Sequence, residues 1–472
     1  VVLALGGGVL LAATFPPLGL WPLVFFAPVL LFRALRGASP GEGALAGLVF
    51  GASGLAFPAR WALEAALARG SGAGEAALAL LLLAGGPALF GLLHAFARRA
   101  GSRAVLLDPF GWVAIEWLRS ACPFVPCSWF TLAFAFGDGF GRPLAEWGTV
   151  AGESGLSLLV IASSLCVEHG IAIAPARRSR ALVHVVVGLG IPVILWQVAF
   201  QELMLAAPVE AQLRSALSTV VVQDATTVET KLRLSLAGLA RARADATPLV
   251  DALLWPMGSW PADPLATGRL DPELAAIAAR FQRVFVFGCL RPEPGGGLVP
   301  AVIAVAPDGR VLGEHHEGGE PSVVDIGKER LGLLVGDEIA SEERTRVLAT
   351  RGATVLLVAA DDDPSRPADA ALQAARHADL RACELRRPVL RAGRRGPSFA
   401  MDSLGRFYRA IPGGESDMRL TRISGTRRTS LYLRLGHFLP RVSVLLALAW
   451  LTGMSVARRP AIQPKAAASA SR

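Results

Sequence analysis

The stretch LGLLVGDEIA, Leu331–Ala340, decides how this chain is read. A short, continuous apolar run breaks at Gly336 into two acids, the pattern of a strand buried on both faces that ends in a sharp turn. Outward from it, between about Ser218 and Arg428, strands and amphipathic helices alternate. STVVVQ, PLVDALLWP, RVFVFGCL, ATVLLVAA, PVLRAG and SFAMDS read as strands. ETKLRLSLAGLARARA, DPELAAIAARF, SEERTRVLATRG and PADAALQAARHADLRACELR read as helices, and VPAVIAVAPDGRVLGEH as a hairpin turning at Pro307-Asp308-Gly309. Apolar strands between amphipathic helices predict an α/β sandwich with a largely buried sheet. In such folds the chemistry collects past the carboxyl ends of the strands. Those ends are Trp255-Pro256-Met257, Glu314 to Glu320, Gly336-Asp337-Glu338 and Asp361-Asp362-Asp363.

Composition places this region in a larger, apolar setting. The 472 residues are 53% hydrophobic and 18% charged, against about a quarter charged in an ordinary soluble domain, and the mean hydropathy is +0.47. The apolar residues crowd into the first two hundred positions and one stretch near the end. Eight runs, at 2–14, 20–36, 42–64, 74–97, 104–121, 153–174, 181–205 and 439–457, approach the ~20 residues that cross a bilayer. The first is short and opens at Val1, so a few residues are expected upstream; without a basic leading region it does not read as a signal peptide. Arg33 and Arg36, Arg98, Arg99 and Arg103, Arg177, Arg178 and Arg180, and Arg458, Arg459 and Lys465 follow the even-numbered runs. Positive residues collect on the cytoplasmic side, so the region between runs seven and eight is expected to face outward. The resulting division is a membrane domain of about seven helices over 1–205, a linker over 206–217, an α/β domain over 218–428, a lead-in and closing helix over 429–457, and a cytoplasmic tail over 458–472.

The net charge of +9 is almost all arginine flanking apolar runs, which suits anionic lipid. No basic strip interleaved with aromatics appears, so nucleic acid is not an expected partner. Five cysteines, at 122, 127, 166, 289 and 383, show neither metal-ligand spacing nor a disulfide framework.

Several stretches together resemble the apolipoprotein N-acyltransferase family. FPPLGLWPLVFFAPVLLFRAL, GWVAIEWLRS, SWFTLAFAF, EWGTVAGESGLSLLVIASS and SLYLRLGHFLPRVSVLLALAWL resemble its membrane part. VVVQD, LLWP, DLRACELRRPVLRAG and GPSFAMDSLGR resemble its soluble part. The resemblance implies a multi-span α-helical membrane domain carrying a nitrilase-like α-β-β-α sandwich, in a bacterial inner membrane with the sandwich in the periplasm or outside the cell. Phospholipid and a lipoprotein N-terminus are the implied partners, and no cofactor is implied. In that family a cysteine thiolate takes the acyl chain as a thioester, a glutamate is the general base, and a lysine holds the developing oxyanion.

All three positions depart from the family pattern. The glutamate of its Trp-Pro-Glu falls at Met257, the lysine of its Lys-His-His-Leu run at Glu314, and the cysteine of its Cys-Tyr-Glu at Gly336, with Asp337 and the matching Glu338 behind it. The linker from Gly318-Gly319-Glu320 to the next strand is shorter than the family's, and its Ser-Asn-Asp-Ala-Trp reads Asp361-Asp362-Asp363-Pro364-Ser365. Trp255, Glu320, Asp337 and Arg391 remain as candidate lipid or substrate contacts. Replacement chemistry has few sources. Cys289 is the thiol nearest a strand end but reads as a packed apolar residue, Cys383 reads as helix core, and Lys328 starts its strand at the far end. His315 and His316 lack metal-site spacing and read with the nearby acids as a solvated turn. Asp361 to Asp363 read as solvated acids, and Glu116 as a polar anchor inside an apolar run.

The expected protein is therefore a degenerate acyltransferase, a pseudoenzyme that keeps the scaffold and binds phospholipid or lipoprotein. The alternatives are an active N-acyltransferase with replacement residues, and a different amide or ester reaction run by the acids. Oligomeric state is left open.

Overall fold

The computed structural model describes residues 1–61, 64, 73–100, 107–120, 129–137, 139–206, 217–245, 250–293, 296–361 and 368–457. The first two hundred residues form helices α1 (Val2–Thr14), α2 (Ala27–Ala34), α3 (Pro40–Leu55), α4 (Ala73–Ala100), α5 (Asp108–Ser120), α6 (Gly148–Ile173) and α7 (Arg178–Leu205). Ser39 caps α3 in a reciprocal capping box with Glu42. The aromatic core of this half gathers Phe15, Phe32, Phe50, Phe130, Phe134 and Phe136.

Among the described residues two helices, α6 and α7, are long and apolar enough to cross a bilayer. The first three apolar runs make shorter helices with prolines between them: Pro16, Pro17 and Pro22 precede α2, and Pro40 and Pro58 bracket α3. The arginine pattern is only partly covered, because Arg69, Arg103, Arg458, Arg459 and Lys465 lie outside the described residues, as do the linker over 207–216 and the tail.

The α/β half contains two six-stranded sheets. The first is built from β1 (Leu217–Gln223), β2 (Ala252–Trp260), β3 (Val284–Pro292), β4 (Leu298–Val305) and β5 (Val311–His316). The second contains β6 (Val323–Ile326), β7 (Glu329–Val335), β8 (Val355–Ala360), β9 (Val389–Gly393), β10 (Ser398–Met401) and β11 (Phe407–Ile411). The last strand, β12 (Asp417–Ile423), returns to the first sheet, whose order is β12-β1-β2-β3-β4-β5 against β11-β10-β9-β8-β7-β6. β1, β2 and β3 are parallel, as are β7, β8 and β9, which is why these strands are apolar on both faces. Their inner faces meet in a core that includes Leu254, Val286, Leu333, Val335, Leu357 and Leu390. Helices α8 (Val228–Ala244) and α9 (Pro272–Phe281) cover the first sheet; α10 (Glu342–Thr350) and α11 (Ala368–Leu385) cover the second. The result is an α-β-β-α sandwich. Strands β6, β11 and β12 carry no pattern that the sequence reading picked out. The chain then closes with α12 (Leu431–Leu435) and α13 (Phe438–Ala457).

One helix joins the halves. α11 reads as an ordinary amphipathic helix, yet Gln373, His377, Asp379, Arg381, Cys383 and Glu384 are all fully buried. Gln373 donates to the Pro58 carbonyl and accepts from Trp61 Nε1, and His377 lies between the rings of Trp129 and Phe134, 4.8 and 4.6 Å away. Asp379 pairs with Arg142 at 3.3 Å. Leu380 and Cys383 belong to the aromatic core of the helical half. The partner helix α6 is kinked for this contact: Gly152 has φ +67°, and a Cβ there would stand 2.6 Å from the Tyr432 ring.

Candidate functional site

β7 brings the opening stretch to the carboxyl edge of its sheet and stops at Gly336, where φ is +52°. A left-handed backbone suits glycine and strains other residues. The space above it is open: a Cβ would have no heavy atom within 4 Å. The 3-10 turn Gly336–Ala340 then carries the chain into α10, capped by Ser341, whose side chain accepts from the Arg344 N–H.

Glu338 is the anchor of this turn. Its carboxylate accepts from His315 Nε2 at 2.7 Å and from the backbone N–H groups of Gly318 (2.9 Å) and Val335 (3.0 Å), and it pairs with Arg344 at 3.1 Å. Burial works to raise this carboxyl, but the hydrogen bond and charge of His315 with the two backbone donors outweigh it and hold it below the usual range. His315 faces a second acceptor, the Glu320 carbonyl, 3.0 Å from Nδ1. The solvated turn expected here is thus half buried: His315 is 2% exposed, while its neighbour His316 points the other way and sits 3.4 Å from Glu314.

The other strand-end charges are also mutually engaged. Glu314, at the position read as the family's lysine, lies 3.9 Å from Arg291, which pairs with Asp263 at 3.2 Å. Asp361 pairs with Arg394 at 3.2 Å; Asp362 and Asp363 are outside the described residues. Met257 is packed in the core between the sheets, its sulfur over Gly288 of β3. Trp255 points the other way, under α8, where its Nε1 donates to Ser235 Oγ at 2.9 Å. Cys289 is fully buried, and burial pushes its thiol up to about 12, the opposite of what a nucleophile needs. Cys383 is likewise buried, with its thiol raised well above its ordinary value by burial.

A cavity of about 690 Å³ opens beside the turn, at the joint of the two halves. Trp117, Ser120, Trp129 and Glu153 line it from the helical half, and Asp337, Glu338, Glu342, Glu343 and Arg344 from the sandwich. Glu317, Gly318, His437 and Arg441 complete it. Of the residues grouped by sequence, Glu317, Gly318, Asp337 and Glu338 reach the cavity. Trp255 does not, the Glu320 side chain is 87% exposed and paired with Arg351, and Arg391 is buried at β9, donating to the Pro397 carbonyl. Glu116 sits deeper in the helical half, accepting from the Leu132 N–H. Trp117, Glu153, Glu342 and His437 were missed as cavity residues because their common wall is assembled from four segments far apart in sequence. Among the described residues no group of three or more His, Cys, Asp or Glu is arranged to hold a metal ion.

The sandwich, its glycine-ended strand and the cavity against a helical half define the class: a two-sheet α/β sandwich joined to an apolar helical half. Residues 7–166 match the family model described as the apolipoprotein N-acyltransferase N-terminal domain. Two curated relatives are apolipoprotein N-acyltransferases. That of Methylococcus capsulatus is 38% identical over 127 residues, a quarter (25%) of each chain. That of Rhodopirellula baltica is 37% identical over 87 residues, 18% of this chain and 15% of the relative. Solved structures include an amidase from Nesterenkonia sp. (19% identity, TM-score 0.35, 45% of this chain and 93% of the other). Nit3 of Saccharomyces cerevisiae, a nitrilase-superfamily member, is similar at 14% identity and TM-score 0.36, over 48% and 94%. Over residues 7–166 the chain is similar to the N-terminal domain of apolipoprotein N-acyltransferases, and it matches a quarter or less of the length of these two curated relatives.

Proposed function

We propose that this chain is a membrane-embedded apolipoprotein N-acyltransferase relative that no longer forms an acyl-enzyme and instead binds phospholipid or a lipoprotein N-terminus at the joint cavity. One observation carries the reading: Gly336 occupies the turn after β7, with open space where a nucleophile's side chain would stand. A glycine has no group that can take an acyl chain from an ester, so the two-step transfer has no first intermediate. Met257 offers no proton acceptor, Glu314 reverses the charge expected at an oxyanion, and the buried, protonated thiol of Cys289 weakens the reading in which the nucleophile has moved.

The membrane setting is part of the proposal, with the multi-span arrangement and the domain boundaries at about 205, 218 and 428. It is supported by α7, which exposes Leu182, Val186, Val193 and Ile194 along its length. Arg177, Arg178 and Arg180 mark one end, and the stacked pair Trp196 and Phe200 lies toward the other. Arg178 and Trp196 are about 27 Å apart at 1.5 Å per residue, close to a bilayer core with an arginine side and an aromatic side. On this reading the sandwich faces the periplasm of a bacterial inner membrane.

The test is to incubate the purified full chain in liposomes with labelled phospholipid and a diacylated lipopeptide, following bound ligand and triacylated product together. Retention of either ligand without product above background is expected; steady turnover would refute the proposal in favour of replacement residues.

A further inference from the structure

Behind the cavity wall lies a set of buried ions whose charges do not balance. Arg381 of α11 donates through Nη2 to Glu153 of α6 (2.9 Å) and to the Ala340 carbonyl (3.3 Å), and through Nη1 to Glu384. Its Nη1 also lies 3.9 Å from Glu342 of α10. Three carboxylates therefore share one guanidinium in a largely buried site, with side-chain exposures of 0% for Arg381, 6% for Glu153, 10% for Glu342 and 1% for Glu384.

The surroundings do not restore the balance. Glu342 accepts from the Tyr432 hydroxyl at 2.8 Å and lies 3.5 Å from His437 Nδ1. The other ring nitrogen of His437 meets Glu343 at 2.9 Å, and Glu343 is matched by Arg346 at 3.2 Å. Burial holds His437 below its ordinary value despite these acids, so it adds no full charge at neutral pH. His377, one turn before Arg381, is buried among aromatic rings and neutral. From the helical side Arg119 acts on Glu153, but its own guanidinium donates to the Trp129 carbonyl. Asp379, on the same helix, is committed to Arg142. Like charges this close and this desolvated cannot all stay ionised. Oε1 of Glu384 is buried with no hydrogen-bond partner, a position far costlier for a charged oxygen than for a neutral carboxyl. Burial also raises the carboxyls of Glu384 and Glu342 above their ordinary values.

We propose that this cluster holds one exchangeable proton at neutral pH, shared among Glu153, Glu342 and Glu384, and that the proton latches the helical half to the sandwich. When the O–H bond breaks and the proton leaves to water through the cavity, a second unbalanced negative charge remains at the joint and loosens the wall that Glu153 and Glu342 form. The effect on ligand binding rests on the cavity being the binding site, as proposed above; the proton itself does not.

Infrared difference spectra of the full chain in detergent at pH 7 test it. The wild type should show the carbonyl stretch of a buried protonated carboxyl, shifted in D2O, and Glu384→Gln should lose one carboxyl's share of that band. The rate at which a maleimide reaches buried Cys383, corrected for the reagent's own pH dependence, gives a second readout. The joint must release the proton to open, so between pH 5 and 8 opening in the wild type should steepen by about tenfold per pH unit relative to Glu384→Gln. Should Glu384→Gln fail to fold, Glu342→Gln on the cavity side gives the same two readouts. An unchanged band with parallel pH slopes means a fully ionised cluster and overturns the proposal. Neither readout involves acyl transfer or a ligand, so either proposal can fail without the other.

Discussion

Replacing Arg381 with methionine keeps most of the aliphatic stem and removes the guanidinium that Glu153, Glu342 and Glu384 share. The Ala340 carbonyl loses its donor as well. Breaking a buried ion pair by deleting one partner costs about 3–5 kcal/mol, because the surviving charge stays desolvated. Part of that cost is offset if the carboxylates take up further protons, so the lower end is expected at pH 6 and the upper end at pH 8. Since about 1.4 kcal/mol is a factor of ten, opening of the α11 joint should rise by roughly 10²- to 10⁴-fold. Cys383 reports this directly. It is fully buried in the chain between Arg381 and its partner Glu384, and burial keeps its thiol protonated in the closed joint, so a maleimide reaches it only after opening. Peptide mapping by mass spectrometry separates it from the other cysteines. A rise of less than about fivefold in Arg381→Met would refute the claim that this cluster holds the two halves together.

Other perturbations probe different parts of the account. Glu338→Gln leaves His315 and Arg344 without their counter-charge and should cost about 3 kcal/mol or more. Because the folded carboxyl is held below its ordinary 4.5, its contribution is present above that value and lost as pH falls through the folded value; an acid unfolding limb that moves less than half a pH unit in the variant would count against it. His377 is held well below 6.5 by burial, so the unfolded chain gains a proton that the folded chain refuses. Stability should therefore fall by about 1.4 kcal/mol per pH unit as pH drops below 6.5, and His377→Phe should remove that slope in thermal melts. Gly336→Cys meets no neighbour but must adopt a positive φ, at a cost of about 1–2 kcal/mol. It should yield a thiol that labels rapidly and still supports no transfer, because Met257 and Glu314 are unchanged.

The sequence was most informative where burial is simple. β1, β2, β3, β7, β8 and β9 are covered on both faces and read as apolar runs, and the glycine-ended turn at Gly336 stands out at once. β6, β11 and β12 were not legible, being short or half-exposed edge-side strands with mixed composition, as in DMRLTRI of β12. The joint helix was the larger loss. Asp379, Arg381 and Glu384 look like the solvated face of an amphipathic helix, and only the fold reveals partners at Arg142 and Glu153, more than two hundred positions away. Local periodicity carries no record of such pairings. The same limit placed Trp255 and Glu320 beside a site they do not line, and made a buried His315–Glu338 pair look like a solvated turn.

The central claim is that no group at the end of β7 can receive an acyl chain. Its most direct test is the intact mass of the full chain after incubation with phospholipid vesicles and no acceptor, with a hydroxylamine-treated sample as control. The account predicts an unmodified mass in both samples. A hydroxylamine-sensitive gain of one fatty-acyl group would contradict it, and the peptide carrying that group would identify the nucleophile.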